Sequence, residues 1–212
     1  MMVAQGLERL IMKFRAAITT GVLVGLAAML SACGINSVPT AEENAKAKWA
    51  DVQAAYQRRA NLIPNLQATV KGAAASEKSI LTDVIEARSK ATAIQVTGAD
   101  LTDPAKVQQF QAAQSQLNGS LSRLLANVEA YPELKSQANF STFMSQIEGT
   151  ENRINIAVVD YNKAVQDYNT RIRTFPDAVG AKIFYGSKPL VPFQATTPGA
   201  ENAPTVDFGN SN

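Results

Sequence analysis

The residue types that most often carry catalysis are scarce in this 212-residue chain, which contains no histidine and a single cysteine. Histidine is the commonest general base and a frequent zinc ligand, so its absence removes two familiar kinds of catalytic centre. Two glutamates, Glu77 and Glu151, lie on otherwise apolar helical stripes, where a carboxylate pair would suit acid–base chemistry or metal binding. Metal sites in helical bundles usually add a Glu-x-x-His motif, which this chain lacks. We therefore predict no catalytic residue, metal site or cofactor, and keep an enzyme using Glu77 and Glu151 as an alternative.

The single cysteine, Cys33, lies at the end of a segment with the composition of a secretory signal. Lys13 and Arg15 make its start positive, residues 16–29 carry no charge, and Leu-Ser-Ala directly precedes the cysteine. The uncharged stretch is shorter than the roughly 20 residues that span a bilayer as a helix. Leu-Ser-Ala-Cys resembles the lipobox of bacterial lipoproteins, in which the cysteine sulfur is acylated and the cysteine becomes the new first residue.

This pattern predicts a lipoprotein signal peptide over residues 1–32 and a lipidated cysteine with a short tether over residues 33–40. A thiolate is a competent nucleophile towards a lipid donor, and several acyl chains give stable membrane attachment. An uncleaved amino-terminal anchor is the alternative. Gly34 after the cysteine favours the outer membrane if the envelope has two membranes, with the rest of the chain facing the periplasm or exterior.

The charge of the chain argues against one class of partner. Its net charge is +2, but the first 32 residues hold three basic residues and one acidic residue, which leaves 17 basic and 17 acidic residues in the remainder. Binding of nucleic acid requires a cationic surface, so a neutral mature chain is not expected to bind it.

Helical periodicity extends from Ala45 to Ile94. Steps of four and three residues in alternation meet apolar side chains at almost every position, which is the 3.5-residue repeat of coiled-coil packing. Pro64 lies within this stripe, and because the stripe keeps its phase across Pro64 we predict a kink there rather than a chain reversal; separation into two helices is the alternative. The stripe comprises Ala45, Trp49, Val52, Tyr56, Arg59, Ile63, Leu66, Val70, Ala73, Glu77, Ile80, Val84, Ala87, Ala91 and Ile94.

Two further stripes follow a predicted turn over residues 97–102. Asp103 and Pro104 form an N-cap followed by proline at the first helical position, which is a helix start signal. Pro132 should close this helix, and Phe175-Pro176 the next. The second stripe comprises Val107, Phe110, Gln114, Leu117, Leu121, Leu124, Val128 and Tyr131; the third comprises Phe140, Met144, Ile147, Glu151, Ile154, Val158, Tyr161, Val165, Tyr168, Ile172 and Phe175.

No period-2 pattern of comparable length competes with these stripes, so the predicted fold class is all-α. Short connections make neighbouring helices antiparallel, which gives an up-and-down bundle of three to four long helices with coiled-coil-like packing over residues 41–175. Residues 176–212 are rich in proline and polar residues, and we expect a mostly irregular tail. Phe184, Tyr185 and Phe193 would pack parts of this tail along the bundle.

Four polar residues on the stripes, Arg59, Glu77, Gln114 and Glu151, should face the helix seam, where an unpaired charge would be costly. We expect them to pair and to fix the register of the helices. Specifically, Arg59 or Arg123 is predicted to neutralise Glu151.

The aromatic residues Trp49, Tyr131, Tyr161 and Tyr168 occur at helical spacing, which favours a place in the core over a ligand-binding aromatic cage. Gly72 and Gly149 interrupt helices, and close approach of neighbouring helices is the expected reason, with a docking groove as the alternative.

Several ordered stretches together resemble the LemA family over about residues 41–208. The resemblance implies an antiparallel helical bundle attached to the envelope membrane by its amino terminus, with a membrane or envelope protein as partner and no assigned active site. Many family members have an uncleaved transmembrane helix, whereas this chain has the lipobox-like cysteine. The stretches are Tyr56-Gln-Arg-Arg-Ala-Asn-Leu-Ile-Pro-Asn-Leu66, Leu121-Ser-Arg-Leu-Leu-Ala-Asn-Val-Glu-Ala-Tyr-Pro-Glu-Leu134, Glu148-Gly-Thr-Glu-Asn-Arg-Ile154, Tyr161-Asn-Lys-Ala-Val-Gln-Asp-Tyr-Asn-Thr-Arg171 and Ala203-Pro-Thr-Val-Asp-Phe208.

Three functions are compatible with these features. The leading interpretation is a non-catalytic scaffold or protein-interaction module, attached to the membrane through Cys33 and able to form homo-oligomers. A carrier of a lipid or another apolar ligand would need a large apolar hollow between the helices, whereas a scaffold would have a filled seam. An enzyme that uses Glu77 and Glu151 is the third compatible function.

Overall fold

The computed structural model of the chain describes residues 2–71, 78–128 and 138–194, and the described residues form helices and connections without β-strands. The all-α prediction is therefore confirmed. Four long helices are α1 (Met2–Lys71), α2 (Lys78–Ala93), α3 (Pro104–Val128) and α4 (Ala138–Arg171), with a 3-10 turn over Gly98–Thr102, a short helix α5 (Asp177–Gly180) and a π turn over Ala181–Tyr185.

The chain forms two compact units, each of which includes part of α1 and part of α4. The amino-terminal unit contains residues 1–44 and 166–189, and the bundle unit contains residues 45–165 and 190–212. The last eighteen of these residues, 195–212, lie outside the described part of the chain.

Within the bundle unit, α1 and α2 run antiparallel. The Arg88 Nε donates a hydrogen bond to the Ala60 carbonyl at 2.7 Å, and the Trp49 Nε1 donates to the Val96 carbonyl at 2.8 Å. Arg88 in α2 and Val96 beyond its end thus meet successively earlier residues of α1, so the two helices run in opposite directions. The stripe over residues 45–94, in which we predict only a kink, is therefore divided between two antiparallel helices.

Pro64 is not the place of this reversal, because α1 continues from Met2 to Lys71. Ile63 and Leu66 on either side of the proline are 1% and 0% exposed, and their burial outweighs the backbone hydrogen bond that proline removes. Gly72, for which close approach of helices was the expected role, lies outside the described residues.

The helix start predicted at Asp103 and Pro104 is confirmed, because α3 begins at Pro104 and the Ala105 amide donates to the Asp103 carboxylate at 2.9 Å. Before it, the Thr97 amide donates to the Asp100 carboxylate at 2.9 Å, which closes the 3-10 turn. The apolar seam of the four long helices is filled by side chains from each of them. Its buried members are Ile63, Leu66, Leu81, Val84, Ala87, Ala91, Ala113, Leu117, Leu121, Leu124, Phe140, Phe143 and Ile147.

In the amino-terminal unit, α1 contacts the segment that follows α4. The Ser37 hydroxyl donates to the Asp177 carboxylate at 2.6 Å, and Val38 is fully buried. The Tyr168 hydroxyl donates to the Lys188 carbonyl at 3.1 Å. Residues 33–40, for which we predict a tether, belong to α1, in which the apolar side chains of Val38 and Ala41 are buried. Cleavage after residue 32 stays a prediction.

Of the predicted tail over residues 176–212, the structure describes residues 176–194. Residues 186–194 have no regular secondary structure, whereas α5 and the π turn precede them. Phe193 packs beside Trp49 and Tyr56, with ring centroids 6.5 and 6.0 Å away. Phe184 and Tyr185, in the amino-terminal unit, are 65% and 44% exposed.

No helix among the described residues combines the length and hydropathy needed to cross a membrane.

Gly149 in α4 does not serve close helix packing, because a Cβ built on it would meet no atom within 4 Å. Gly149→Ala should therefore stabilise the fold by about 0.5–1 kcal/mol, the helix-propensity difference between the two residues. Urea unfolding of the two proteins measures this directly. Gly186→Ala is the contrasting change, because Gly186 has a φ of 55° that disfavours a side chain. A destabilised Gly149→Ala would show that its open face is not empty in solution.

Candidate functional site

A buried arginine joins helices of the bundle unit. Arg59 on α1 is 2% exposed, and its Nη1 donates to a Glu151 carboxylate oxygen on α4 at 2.9 Å. Its Nη2 donates to the backbone carbonyl and to the side-chain oxygen of Gln114 on α3, at 3.2 and 3.1 Å. The Gln114 side-chain amide in turn donates to the Ala91 carbonyl on α2 at 3.2 Å. These residues link all four long helices through hydrogen bonds, and the bonds that Arg59 donates are charge-assisted.

This arrangement confirms the predicted pairing of Arg59 with Glu151. Arg123, the alternative partner, is exposed on α3. Glu77 lies outside the described residues, so the predicted carboxylate pair with Glu151 is not tested. The role of Arg59, Gln114 and Glu151 in fixing helix register stays a prediction that their positions support.

Tyr56 lies beside the guanidinium, whose Cζ is 5.0 Å from the centre of the phenol ring. This geometry is that of a cation–π contact, which gains strength away from water. Burial raises the pKa of Tyr56 to about 12; the Arg59 charge opposes this shift and the Glu151 charge adds to it. The phenol is therefore protonated at neutral pH and is a poor general base.

Protonation of Tyr56 predicts a loss of stability in alkali. Its folded pKa lies above the ordinary value of 10.0, so the folded chain retains a proton that the unfolded chain releases. The contribution is complete below about pH 10 and declines by about 1.4 kcal/mol per pH unit up to pH 12. Urea unfolding at about pH 8 and pH 11 should show this decline, with a smaller one in Tyr56→Phe. An identical decline in both proteins would assign the effect to other groups.

A pocket of about 400 Å³ opens beside this cluster, between α1, α3, α4 and the segment at Phe193. Arg59 and Gln111 line it, and both are nine-tenths buried or more. The Nε of Arg59 and the Nε2 of Gln111 have no hydrogen-bond partner among the described residues. The rest of its lining is Tyr56, Gln114, Ser115, Asn118, Glu151, Ile154, Asn155, Val158, Asn162, Phe193 and Gln194.

Sequence reasoning missed Gln111 and this pocket. A sequence signal existed, because Gln111 precedes Gln114 by three residues and therefore shares a face of α3 with it. Glutamine is common on solvent-facing helix positions, however, so its burial becomes visible only when the neighbouring helices are in place.

The aromatic residues of the bundle unit form core, as predicted. Trp49 is 2% exposed, and its ring centroid lies 5.2 Å from Phe110 and 5.1 Å from Tyr161. Burial raises the pKa of Tyr161, whose hydroxyl donates to the Val191 carbonyl at 2.7 Å. Tyr168 is buried in the amino-terminal unit, and Tyr131 lies outside the described residues.

Metal binding would need grouped acidic, cysteine or histidine side chains, and lipid attachment would need Cys33. Within residues 2–71, 78–128 and 138–194, no three acidic, cysteine or histidine side chains are grouped as metal ligands. The backbone of Cys33 belongs to α1, and its side chain is outside the described part.

The described residues form an all-α bundle with a filled apolar seam and one buried arginine cluster. The class of this protein is therefore a helical bundle, and the described residues show no evident catalytic centre. The chain belongs to the LemA family, whose model matches residues 48–208. The family resemblance drawn from the sequence is thereby confirmed.

Three bacterial relatives illustrate the extent of the similarity. The chain is 28% identical to magnetosome protein MamQ 1 of Paramagnetospirillum magneticum and 27% identical to magnetosome protein MamQ of Magnetospirillum gryphiswaldense, each alignment covering 66% of this chain and 58% of the relative. It is 27% identical to protein LemA of Metamycoplasma hominis over 58% of this chain and 52% of the relative. The chain thus spans little more than half the length of these curated relatives. Family membership supports, in general terms, a bacterial membrane- or envelope-associated protein.

Proposed function

We propose that this protein is a lipoprotein of the bacterial envelope, held on a membrane surface by lipid at Cys33, and that its bundle unit is a non-catalytic protein-interaction module. If the envelope has two membranes, Gly34 favours attachment to the outer one, with the bundle in the periplasm or outside the cell. The partner is a membrane or envelope protein.

The observation that carries the membrane proposal is an exposed aromatic patch in the amino-terminal unit, formed by Phe175, Val179, Ile183, Phe184 and Tyr185. Phe175 is 85% exposed and Ile183 69%. Five exposed large apolar side chains within residues 175–185 are unusual on a surface that meets only water. Arg173, Lys182 and Lys188 are exposed in the same segment. Apolar and aromatic residues with lysine and arginine nearby suit the headgroup region of an anionic membrane.

The patch lies close in structure to the proposed lipidation site. Asp177, which lies in the segment that carries the patch, accepts a hydrogen bond from the Ser37 hydroxyl at 2.6 Å. Ser37 follows Cys33 by four residues of α1, which corresponds to about one helical turn and about 6 Å. Acyl chains on Cys33 would therefore enter the membrane near the aromatic patch, and both features would hold the part of α1 around residues 33–37 at the surface.

Two observations favour an interaction module over the alternative functions. Arg59, Gln114 and Glu151 bond to one another across the helices, and Tyr56 holds its proton, which suits structure better than acid–base catalysis. The pocket beside them is lined largely by carboxamide and other polar side chains, whereas a carrier of an apolar ligand needs an apolar hollow.

A photo-crosslinking residue placed at position 184 in living cells tests the membrane contact. Phe184 is 65% exposed in the amino-terminal unit, and Ile156, which is 55% exposed in the bundle unit, provides a control of similar exposure. We expect lipid adducts at position 184 and none at position 156. Lipid adducts at both positions or only at position 156 would contradict the proposed membrane-facing surface.

A further inference from the structure

Two buried nitrogen donors on the wall of the bundle pocket lack acceptors. The Arg59 Nε and the Gln111 Nε2 are without hydrogen-bond partners in the described part of the chain, although Arg59 and Gln111 are only 2% and 3% exposed. Native proteins pair the large majority of buried polar atoms, because leaving one unpaired costs the hydration it has lost. Both residues line the same pocket of about 400 Å³, so an acceptor placed there would satisfy donors that the fold leaves open.

We propose that this pocket is a binding site for an uncharged secondary amide, the group found in a peptide backbone and in an N-acetylated sugar. The carbonyl oxygen of such a group would accept hydrogen bonds from the Gln111 side chain and the Arg59 guanidinium. The charges of Arg59 and Glu151 in the pocket wall favour an uncharged acceptor over a carboxylate. The positive charge of Arg59 is already balanced by Glu151 at 2.9 Å, and a ligand carboxylate would meet the Glu151 charge as well.

The remaining lining suits both halves of an amide. Asn118, Asn155 and Gln194 carry side-chain carboxamides, which donate and accept hydrogen bonds and can therefore pair with an N–H as well as a C=O. Ile154 and Val158 add an apolar wall for the substituent on the amide. The volume lies in the range of roughly 300–1,000 Å³ typical of small-ligand sites.

This inference deepens the proposed role of the bundle unit as an interaction module by naming the chemical group that it recognises. It is independent of attachment at Cys33, because ligand binding can be measured on the full chain in detergent micelles. Failure of binding would leave lipidation untouched, and an unacylated protein could still bind the amide.

Titration with two probes distinguishes the possible sources of the amide. N-acetyl-dialanine methylamide represents a peptide backbone, and N-acetylglucosamine represents an acetylated sugar. Trp49 is the only tryptophan in the chain, and its ring centroid lies 6.5 Å from that of Phe193, a residue of the pocket wall. Its fluorescence should therefore report binding. We expect saturable binding of at least one probe at millimolar concentration. Saturation by neither probe would overturn the proposal.

Gln111→Leu provides the decisive variant. It removes the unpaired donor at similar volume, so we expect an equal or higher melting temperature together with at least tenfold weaker binding of the active probe. Gln116→Leu, at an exposed position of the same helix, should leave affinity unchanged. Asn155→Phe, from the exposed rim, should narrow the pocket and abolish binding even if Gln111→Leu folds poorly, and it keeps Trp49 as the single tryptophan. Unchanged affinity in a folded Gln111→Leu or Asn155→Phe protein would refute the site.

Discussion

Replacing Arg59 by alanine is expected to lower the free energy of unfolding by about 3 kcal/mol or more, one of the two largest effects of any single change considered for this protein. The change removes the bonds to Glu151 at 2.9 Å and to Gln114 at 3.1 and 3.2 Å, together with the contact to Tyr56. The Gln114 side-chain oxygen would lose its arginine donor in a buried position. Glu151 would suffer less, because its side chain is 36% exposed and water can solvate it.

Urea unfolding of Arg59→Ala beside Arg123→Ala measures this effect. Arg123 is the control, because its exposed position predicts a change within about 0.5 kcal/mol. A cycle combining Arg59→Ala with Glu151→Gln isolates the energy of the pair. Equal stabilities for the two arginine variants would show that the buried cluster does not hold the four helices together.

Trp49→Ala should destabilise the bundle unit by about 3–5 kcal/mol through loss of its largest buried side chain. The indole contacts the rings of Phe110 and Tyr161 with centroids 5.2 and 5.1 Å away, so truncation leaves a cavity among aromatic groups that cannot collapse without moving. The cost should come mainly from this cavity. The Val96 carbonyl, which accepts from the indole at 2.8 Å, also accepts from Gln53 at 3.1 Å and would keep one donor.

Trp49→Phe separates packing from hydrogen bonding, because it keeps a ring in the cluster and removes the indole N–H. We expect a loss of about 1–2 kcal/mol for this variant, and thermal unfolding by circular dichroism compares it with Trp49→Ala and the unchanged protein. If Trp49→Phe were as destabilised as Trp49→Ala, the hydrogen bond to Val96 rather than ring packing would dominate.

The helices and the arginine cluster could be predicted because their signals are local or periodic. The start of α3 follows from an aspartate N-cap and a proline at the first position, a pattern whose physical basis does not depend on the rest of the fold. Arg59, Gln114 and Glu151 were recognised because each interrupts an apolar stripe. An interruption of that kind needs a partner wherever the stripes meet.

The reversal of the chain between α1 and α2 could not be predicted from the apolar stripe. A seven-residue repeat shows which residues share a helix face, but it gives no information on whether successive helices run in the same direction. Proline is the strongest helix breaker, yet burial on both sides of Pro64 keeps α1 continuous. Likewise, Gln111 and Phe193 owe their places to neighbours distant in sequence. The exposed Phe184 and the packed Phe193 have the same side chain, and only the fold distinguishes them.

A lipid at Cys33 is proposed to hold the protein at a membrane, and the mass of the mature protein tests this directly. Intact-mass and amino-terminal peptide analysis of protein purified from the membrane fraction should show a chain that begins at Cys33 and carries the added mass of its acyl chains. A Cys33→Ser variant should keep residues 1–32 and carry no acyl mass. A mature wild-type chain without acyl groups, recovered outside the membrane fraction, would contradict the proposal.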